Sequence, residues 1–145
     1  MKKIITYAAG LLITCSVAAA PGSKLIQAFK QTFPNAENVK WSDDKAGYFV
    51  SFYDHGNFEK VLYNKEGDFV SSWKYTDGKN LPTNIAMTLN KKYGENKIIG
   101  VTELTTQTDV IYSIQLSKGD KLYSLQTSSD GAILKEQKFE SQNNE

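Results

Sequence analysis

Gly47-Tyr48-Phe49-Val50-Ser51-Phe52-Tyr53-Asp54-His55-Gly56-Asn57-Phe58-Glu59-Lys60-Val61-Leu62-Tyr63 is the stretch that decides the fold. Two runs rich in Val, Phe and Tyr flank Asp54-His55-Gly56-Asn57, and Asp, Gly and Asn are what tight turns favour, so the segment reads as a β-hairpin. With His55 and Gly56 as the central turn residues, Tyr53 pairs with Phe58, Phe52 with Glu59, Val50 with Val61 and Tyr48 with Tyr63. One face of the hairpin then carries Tyr48, Val50, Phe52, Val61 and Tyr63. The other carries Phe49, Ser51, Tyr53, Phe58, Lys60 and Leu62.

The same pattern recurs downstream. A shift of 64 positions takes Tyr48, Val50 and Phe52 onto Tyr112, Ile114 and Leu116, Val61 onto Leu125, Gly67 onto Gly131 and Phe69 onto Ile133. Upstream, a shift of 60 takes Leu25, Phe29 and Phe33 onto Ile85, Leu89 and Tyr93. Self-similarity of this kind marks a unit that cannot bury its apolar face alone and stacks on a copy of itself. Around Gly119-Asp120 the equivalent register pairs Leu116 with Tyr123, Ile114 with Leu125 and Tyr112 with Thr127.

Each copy opens with a helix. Ser23 is placed to cap the first, Leu25, Ile26, Phe29 and Phe33 follow at helical spacing, and Pro34 ends it. The second opens at Leu81-Pro82, with proline suited to the first turn, carries Ile85, Leu89 and Tyr93 on one side, and stops at Gly94. Alternating runs predict strands over Asn38–Ser42, Gly47–Tyr53, Phe58–Asn64 and Phe69–Tyr75, then Lys97–Leu104, Val110–Ser117, Lys121–Thr127 and Ala132–Phe139. Further turn residues stand at Lys65-Glu66-Gly67, Lys118-Gly119-Asp120 and Ser129-Asp130-Gly131. The expectation is an α+β fold of two tandem repeats, 21–80 and 81–140. Each is a helix followed by a four-strand antiparallel meander, and together they form one sheet with both helices on one face. Residues 141–145 read as a polar, flexible tail.

The chain begins like a secretory leader: Lys2 and Lys3, an apolar run from Ile4 through Val17, then Ala18-Ala19-Ala20. Residues 1–20 are therefore expected to be a cleaved signal peptide, with Ala19 and Ala20 both suitable for the cut. The apolar run is shorter than the roughly 20 residues a spanning helix needs. The expected location is periplasmic or secreted, with no membrane insertion after leader removal. Cys15, the only cysteine, lies inside the leader and could matter only as a lipid-attachment site, where Thr14 replaces the usual small residue. Without the leader the chain has no thiol, hence no disulfide framework and no thiolate metal site. All 17 basic residues are Lys, set against 16 acidic ones. The absence of arginine and of any lysine cluster argues against nucleic acid.

Little in the chain suggests chemistry. The only histidine, His55, sits in a hairpin turn with Asp54 and Asn57, where three adjacent residues cannot all point at one metal. No glycine-rich loop follows a strand and opens a helix. The reading is of no enzyme, no catalytic residues, no metal and no cofactor. More informative is the face opposite the helices. In the second copy it reads Ser113, Gln115, Ser117, Ser124 and Gln126, relieved by Leu122, and is suited to water. In the first it carries Phe49, Tyr53, Phe58 and Leu62, and contiguous exposed rings mark a contact surface. Trp73 joins that patch or the core, depending on the register across Lys65-Glu66-Gly67. Trp41 follows Val39 at strand spacing and reads as core. A slip of one residue would exchange the faces.

Phe33-Pro34-Asn35-Ala36, Val39-Lys40-Trp41, Tyr48-Phe49-Val50-Ser51-Phe52, Leu62-Tyr63-Asn64-Lys65-Glu66-Gly67 and Leu81-Pro82 together resemble the PepSY-like family of exported bacterial proteins. These share the beta-lactamase-inhibitor-protein (BLIP) type of fold. The likeness runs from about Ser23 to Lys138. The second copy departs from the pattern at Gly94-Glu95-Asn96 and Gln126-Thr127-Ser128. The resemblance implies two helices on one side of a curved antiparallel sheet and a binding or inhibitor-like role without chemistry, although not lactamase inhibition. The expected function is an exported non-catalytic module docking an unidentified protein or peptide through Phe49, Tyr53, Phe58, Leu62 and Trp73. The alternative is an accessory envelope protein whose aromatic patch is a homodimer seam, so the chain is a monomer or a homodimer.

Overall fold

The structure is a computed structural model that describes residues 20–140. Residues 1–19, Cys15 among them, and the tail 141–145 lie outside the described residues. In chain order the elements are α1 (Ser23–Thr32), β1 (Glu37–Asp44), β2 (Gly47–Asp54), β3 (Asn57–Tyr63), β4 (Phe69–Thr76), α2 (Thr83–Tyr93), β5 (Lys97–Thr106), β6 (Val110–Lys118), β7 (Lys121–Ser128) and β8 (Ile133–Glu140). The eight strands form one sheet in sequential order, every neighbouring pair antiparallel.

Turn chemistry sets the registers. His55 and Gly56 adopt φ of 47° and 79°, the pair of left-handed residues that a two-residue hairpin turn requires for its twist to match the strands. The β2–β3 register follows as expected, Tyr53 opposite Phe58 and Tyr48 opposite Tyr63. In β6–β7, Leu116, Ile114 and Tyr112 face Tyr123, Leu125 and Thr127. Two details of the helix ends differ from expectation. Gly22, with φ −60° and ψ 151°, holds the cap position of α1 and Ser23 is the first helical residue, with no side-chain cap bond. Pro82 is itself the cap of α2 in extended geometry (φ −50°, ψ 138°), one residue before the first turn. In both places the preceding chain arrives extended, so the boundary moves by one residue without changing which face is buried.

Two apolar clusters make the core. In the first, Leu25 and Phe29 of α1 pack with Val50, Phe52, Val61 and Tyr63, and Trp41 is partly buried against them, as expected. Phe29 meets Phe52 edge-on at 5.0 Å and Trp41 edge-on at 5.4 Å. In the second, Ile85, Leu89 and Tyr93 of α2 pack with Val101, Tyr112, Ile114, Leu116 and Leu125. Local details recur 64 positions apart. The β3–β4 ladder shifts register between Leu62 and Tyr63, and β7–β8 between Gln126 and Thr127. Gly67 N–H donates to the Asn64 carbonyl at 3.1 Å, and Gly131 N–H to the Ser128 carbonyl at 3.0 Å.

Between the clusters the residues are polar. Cross-strand partners run Val61–Ser72–Thr105–Val110 in one row and Glu59–Lys74–Glu103–Tyr112–Thr127 in the next. Glu59 is only 7% exposed. Its Oε1 finds no hydrogen bond of good geometry, and its compensation is the Lys74 ammonium 3.0 Å away. A buried carboxylate deprived of its counter-charge is costly, whereas an apolar pair in the same place is often tolerated. Lys74→Met should therefore lower stability in urea unfolding by about 1–3 kcal/mol, and adding Glu59→Leu should recover most of it. A single variant as stable as the parent would show that the pair compensates nothing.

Gly47 opens β2 at φ 149°, and a Cβ there would sit 1.9 Å from the Tyr63 carbonyl oxygen. Gly47→Ala must push β2 and β3 apart at the cross-strand pair next to Tyr48–Tyr63. The expected loss is about 2–4 kcal/mol, read as a lower urea midpoint, and an unchanged midpoint would contradict the close approach.

Candidate functional site

Strand alternation places Phe49, Tyr53, Phe58, Leu62 and Trp73 together on the face of the sheet opposite the first core cluster. The core side chains Val50, Phe52 and Val61 are at most 1% exposed, and their neighbours along the strand must point the other way. Trp73 is settled by pairing: it stands opposite Lys60, between Ser71 and Tyr75 on the same side of β4. The register shift between Leu62 and Tyr63 in β3–β4 hid this from the sequence, because a bulge changes the parity that a turn would otherwise impose.

The patch has two rows of rings. Tyr53, Phe58 and Tyr75 lie side by side across β2, β3 and β4 with centroids 5.4 Å and 5.6 Å apart. They are 44%, 37% and 42% exposed. Phe49 and Trp73, both half-buried, are 6.3 Å apart, and the Lys60 ammonium sits 4.2 Å above the Phe49 ring. This cation–π contact directs the lysine along the surface, covering Phe49 and leaving the Tyr53–Phe58–Tyr75 row open. Leu62 stands between Phe49 and Ser71 and is half-buried.

Three residues that sequence reading missed extend the surface. Tyr75 continues the first row, and its spacing of two from Trp73 was the available signal. Leu104 stands opposite Trp73, and Ile111 opposite Leu104. Their position depends on β4 pairing with β5, and because α2 intervenes no hairpin turn advertises that register. Further along β5 to β7 the face becomes polar, with Thr102, Ser113 and Gln126 in one row and a Gln115 Nε2 to Ser124 Oγ hydrogen bond at 2.8 Å. Leu122 is paired with Phe139 at the far corner.

The other candidates read as structural. His55 Nδ1 lies 3.1 Å from Asp54 Oδ1, with the imidazole side chain 71% exposed at the hairpin tip. Among the described residues no group of three or more His, Cys, Asp or Glu side chains could hold a metal. A polar cleft of about 210 Å³, also unforeseen, lies along the row between the two core clusters and is lined by Asn57, Lys74, Thr76, Asn80, Glu103 and Tyr112 among others. Burial pushes the Tyr112 phenol up, and the neighbouring Glu103 carboxylate adds to the shift. Glu59 neighbours this cleft through Lys74, and its burial went unread although Phe52, its cross-strand partner, was assigned to the core. No helix among the described residues is long and apolar enough to cross a membrane.

No protein-family model and no curated protein matches this chain. Solved structures do match. A BLIP-like protein from Bacteroides fragilis superposes with a TM-score of 0.65 at 18% identity, covering 88% of this chain and 92% of that one. A DUF2874 family protein from Bacteroides ovatus gives 0.63 at 22% identity over 83% and 89%. A protein from Bacteroides eggerthii whose name provisionally places it in the periplasm gives 0.64 at 20% identity over 87% and 94%. At these identities the likeness speaks to architecture alone. The chain has the BLIP-like fold, an α+β arrangement of one eight-stranded antiparallel sheet and two helices.

Proposed function

We propose that this chain is an exported, non-catalytic binding module that docks a protein or peptide on the aromatic face of its sheet. The observation that carries the reading is the row Tyr53–Phe58–Tyr75, three rings more than a third exposed, with Phe58 touching the ring on either side, on an antiparallel scaffold. Contiguous rings gain nothing from water, and tyrosine offers contact area at small entropic cost. Phe49, Leu62 and Trp73 supply the half-buried base of the patch. Export rests on the leader-like residues 1–20, in keeping with the periplasmic placement of the Bacteroides eggerthii protein.

The fold supporting this face is a PepSY-like pair of repeats, 21–80 and 81–140, with both helices on one side. Two observations support that arrangement. The cross-strand row from Glu59 to Tyr112 joins positions that neighbour the first cluster to a member of the second, and directly opposed residues share a face. The register shifts and glycine turns also recur 64 positions apart. The proposed placement leaves the ring-bearing face clear of both helices.

Tyr53→Ser combined with Phe58→Ser tests the site. The pair should abolish capture of a partner from envelope extract, and should abolish rebinding of that partner once identified and purified, while the far-UV spectrum stays unchanged. Undiminished rebinding would discard the site. Light scattering of the parent checks the alternative seam: a concentration-independent dimer that Phe49→Lys converts to monomer would assign the rings to self-association instead.

A further inference from the structure

A second surface lies away from the ring-bearing face, at the edge of the sheet where α1 overhangs β1. A groove of about 300 Å³ opens there, with Ile26, Phe29, Lys30, Phe33, Val39 and Trp41 in its lining. Its base is aromatic: Phe29 touches both Phe33, at 5.3 Å, and Trp41, at 5.4 Å. Val39 is 39% exposed although its neighbours in the groove are apolar. Lys30 supplies the one charge of the lining, and it enters no ion pair among the described residues.

The second half is built differently at the entry to its helix. Ahead of α2, the linker leading from β4 into that helix runs against β5. Gly78 there comes so near β5 that a Cβ would lie 2.7 Å from Ile98 Cγ2 and 3.1 Å from Val101 Cγ2. Leu81 and Ile98 pack against the second cluster. In the first half β1 is an edge strand, and among the described residues the groove beside Val39 and Trp41 is open.

We propose that this groove binds a soluble amphipathic monocarboxylate, its apolar body seated on Phe29, Phe33, Val39 and Trp41 and its carboxylate at the Lys30 ammonium. A concave, apolar, aromatic-lined site with a single polar group to fix orientation is the usual form of a small-molecule pocket. Taking about 30 Å³ for a water-sized group in a liquid, the groove has room for roughly ten such groups, which suits a medium-chain fatty acid. A lone cation at the mouth of an apolar groove selects an anionic head over a neutral or cationic one, and the preference is modest because Lys30 is exposed. This site is independent of the sheet-face reading and shares no residue with it.

Trp73→Phe leaves Trp41 as the sole tryptophan of the chain, so fluorescence reports the groove alone. Titrating the purified variant with decanoate below its micellar range should give a saturable change in Trp41 emission. Decanol should bind more weakly, and decyltrimethylammonium more weakly still. Lys30→Glu should weaken decanoate by about two- to fivefold and leave decanol unchanged, while Val39→Gln should weaken both. Phosphatidylglycerol vesicles should neither sediment the protein nor displace decanoate. The Tyr53→Ser, Phe58→Ser pair should bind decanoate like the parent, so a failed sheet face would not be mistaken for a failed groove. The proposal is overturned if decanoate gives no saturable change, if Lys30→Glu weakens decanol as much as decanoate, or if the vesicles take the protein up instead.

Discussion

The register of the β2–β3 hairpin is the constraint on which the rest of the structure depends. Because strand side chains alternate, a slip of one residue would turn Val50, Phe52 and Val61 to water and drive Tyr53, Phe58 and Lys60 against α1. Two independent features oppose that slip. The left-handed His55-Gly56 turn fixes the pairing from the loop end. Phe52, fully buried against Phe29 at 5.0 Å and Phe33 at 4.7 Å, fixes it from the core. Local turn chemistry and tertiary packing therefore specify the same pairing, and such agreement across levels is what makes a sheet of this length unambiguous.

An eight-stranded sheet with two short helices leaves a problem at its middle. Each helix packs into its own apolar cluster, and the cross-strand rows between the clusters belong to neither. Apolar side chains there would face a partly solvated gap; the chain instead places Glu59, Lys74, Glu103 and Tyr112 in one cross-strand row. Charged neighbours of opposite sign across strands contribute modestly where water still reaches them. The cost appears at Glu59, where burial is nearly complete and the carboxylate relies on Lys74. This accounts for the polar cleft without calling on a ligand, and it also explains why the two clusters remain separate.

Most of the architecture was legible because it is written in local chemistry. The four-strand meanders follow from glycine and Asp/Asn turns, and the core side of each hairpin from its turn length. Tyr53 and Phe58 could be placed on one face from His55-Gly56 alone. What stayed hidden depends on information that is not local. Trp73 sits beyond a bulge, where counting from the turn loses parity. Leu104 and Ile111 depend on a strand pair separated by a whole helix. Glu59 stands opposite Phe52, but its burial could not be inferred before Lys74 was brought opposite it. The helix caps moved by one residue because Gly22 and Pro82 accept extended geometry as readily as the residues after them accept helix.

The comparison between halves separates what the fold needs from what it merely permits. Positions alike in both, such as Phe29 and Leu89 or Val50 and Ile114, are the ones each helix must bury, and packing explains them fully. Positions that differ have no such explanation. The outer row carries Tyr53, Phe58 and Tyr75 in the first half, then Thr102, Ser113 and Gln126 in the second, and both versions support the same backbone pairing. Leu81 and Ile98 pack against the second cluster, whereas at α1 no described residue covers the groove over Trp41. Exposed rings and an apolar groove that no described residue fills both work against solubility, and the outer face of β5 to β7 pairs its strands without such rings. Both departures fall among residues 21–80, the rings on β2, β3 and β4 and the groove on α1 and β1, and there packing alone leaves side chains unaccounted for.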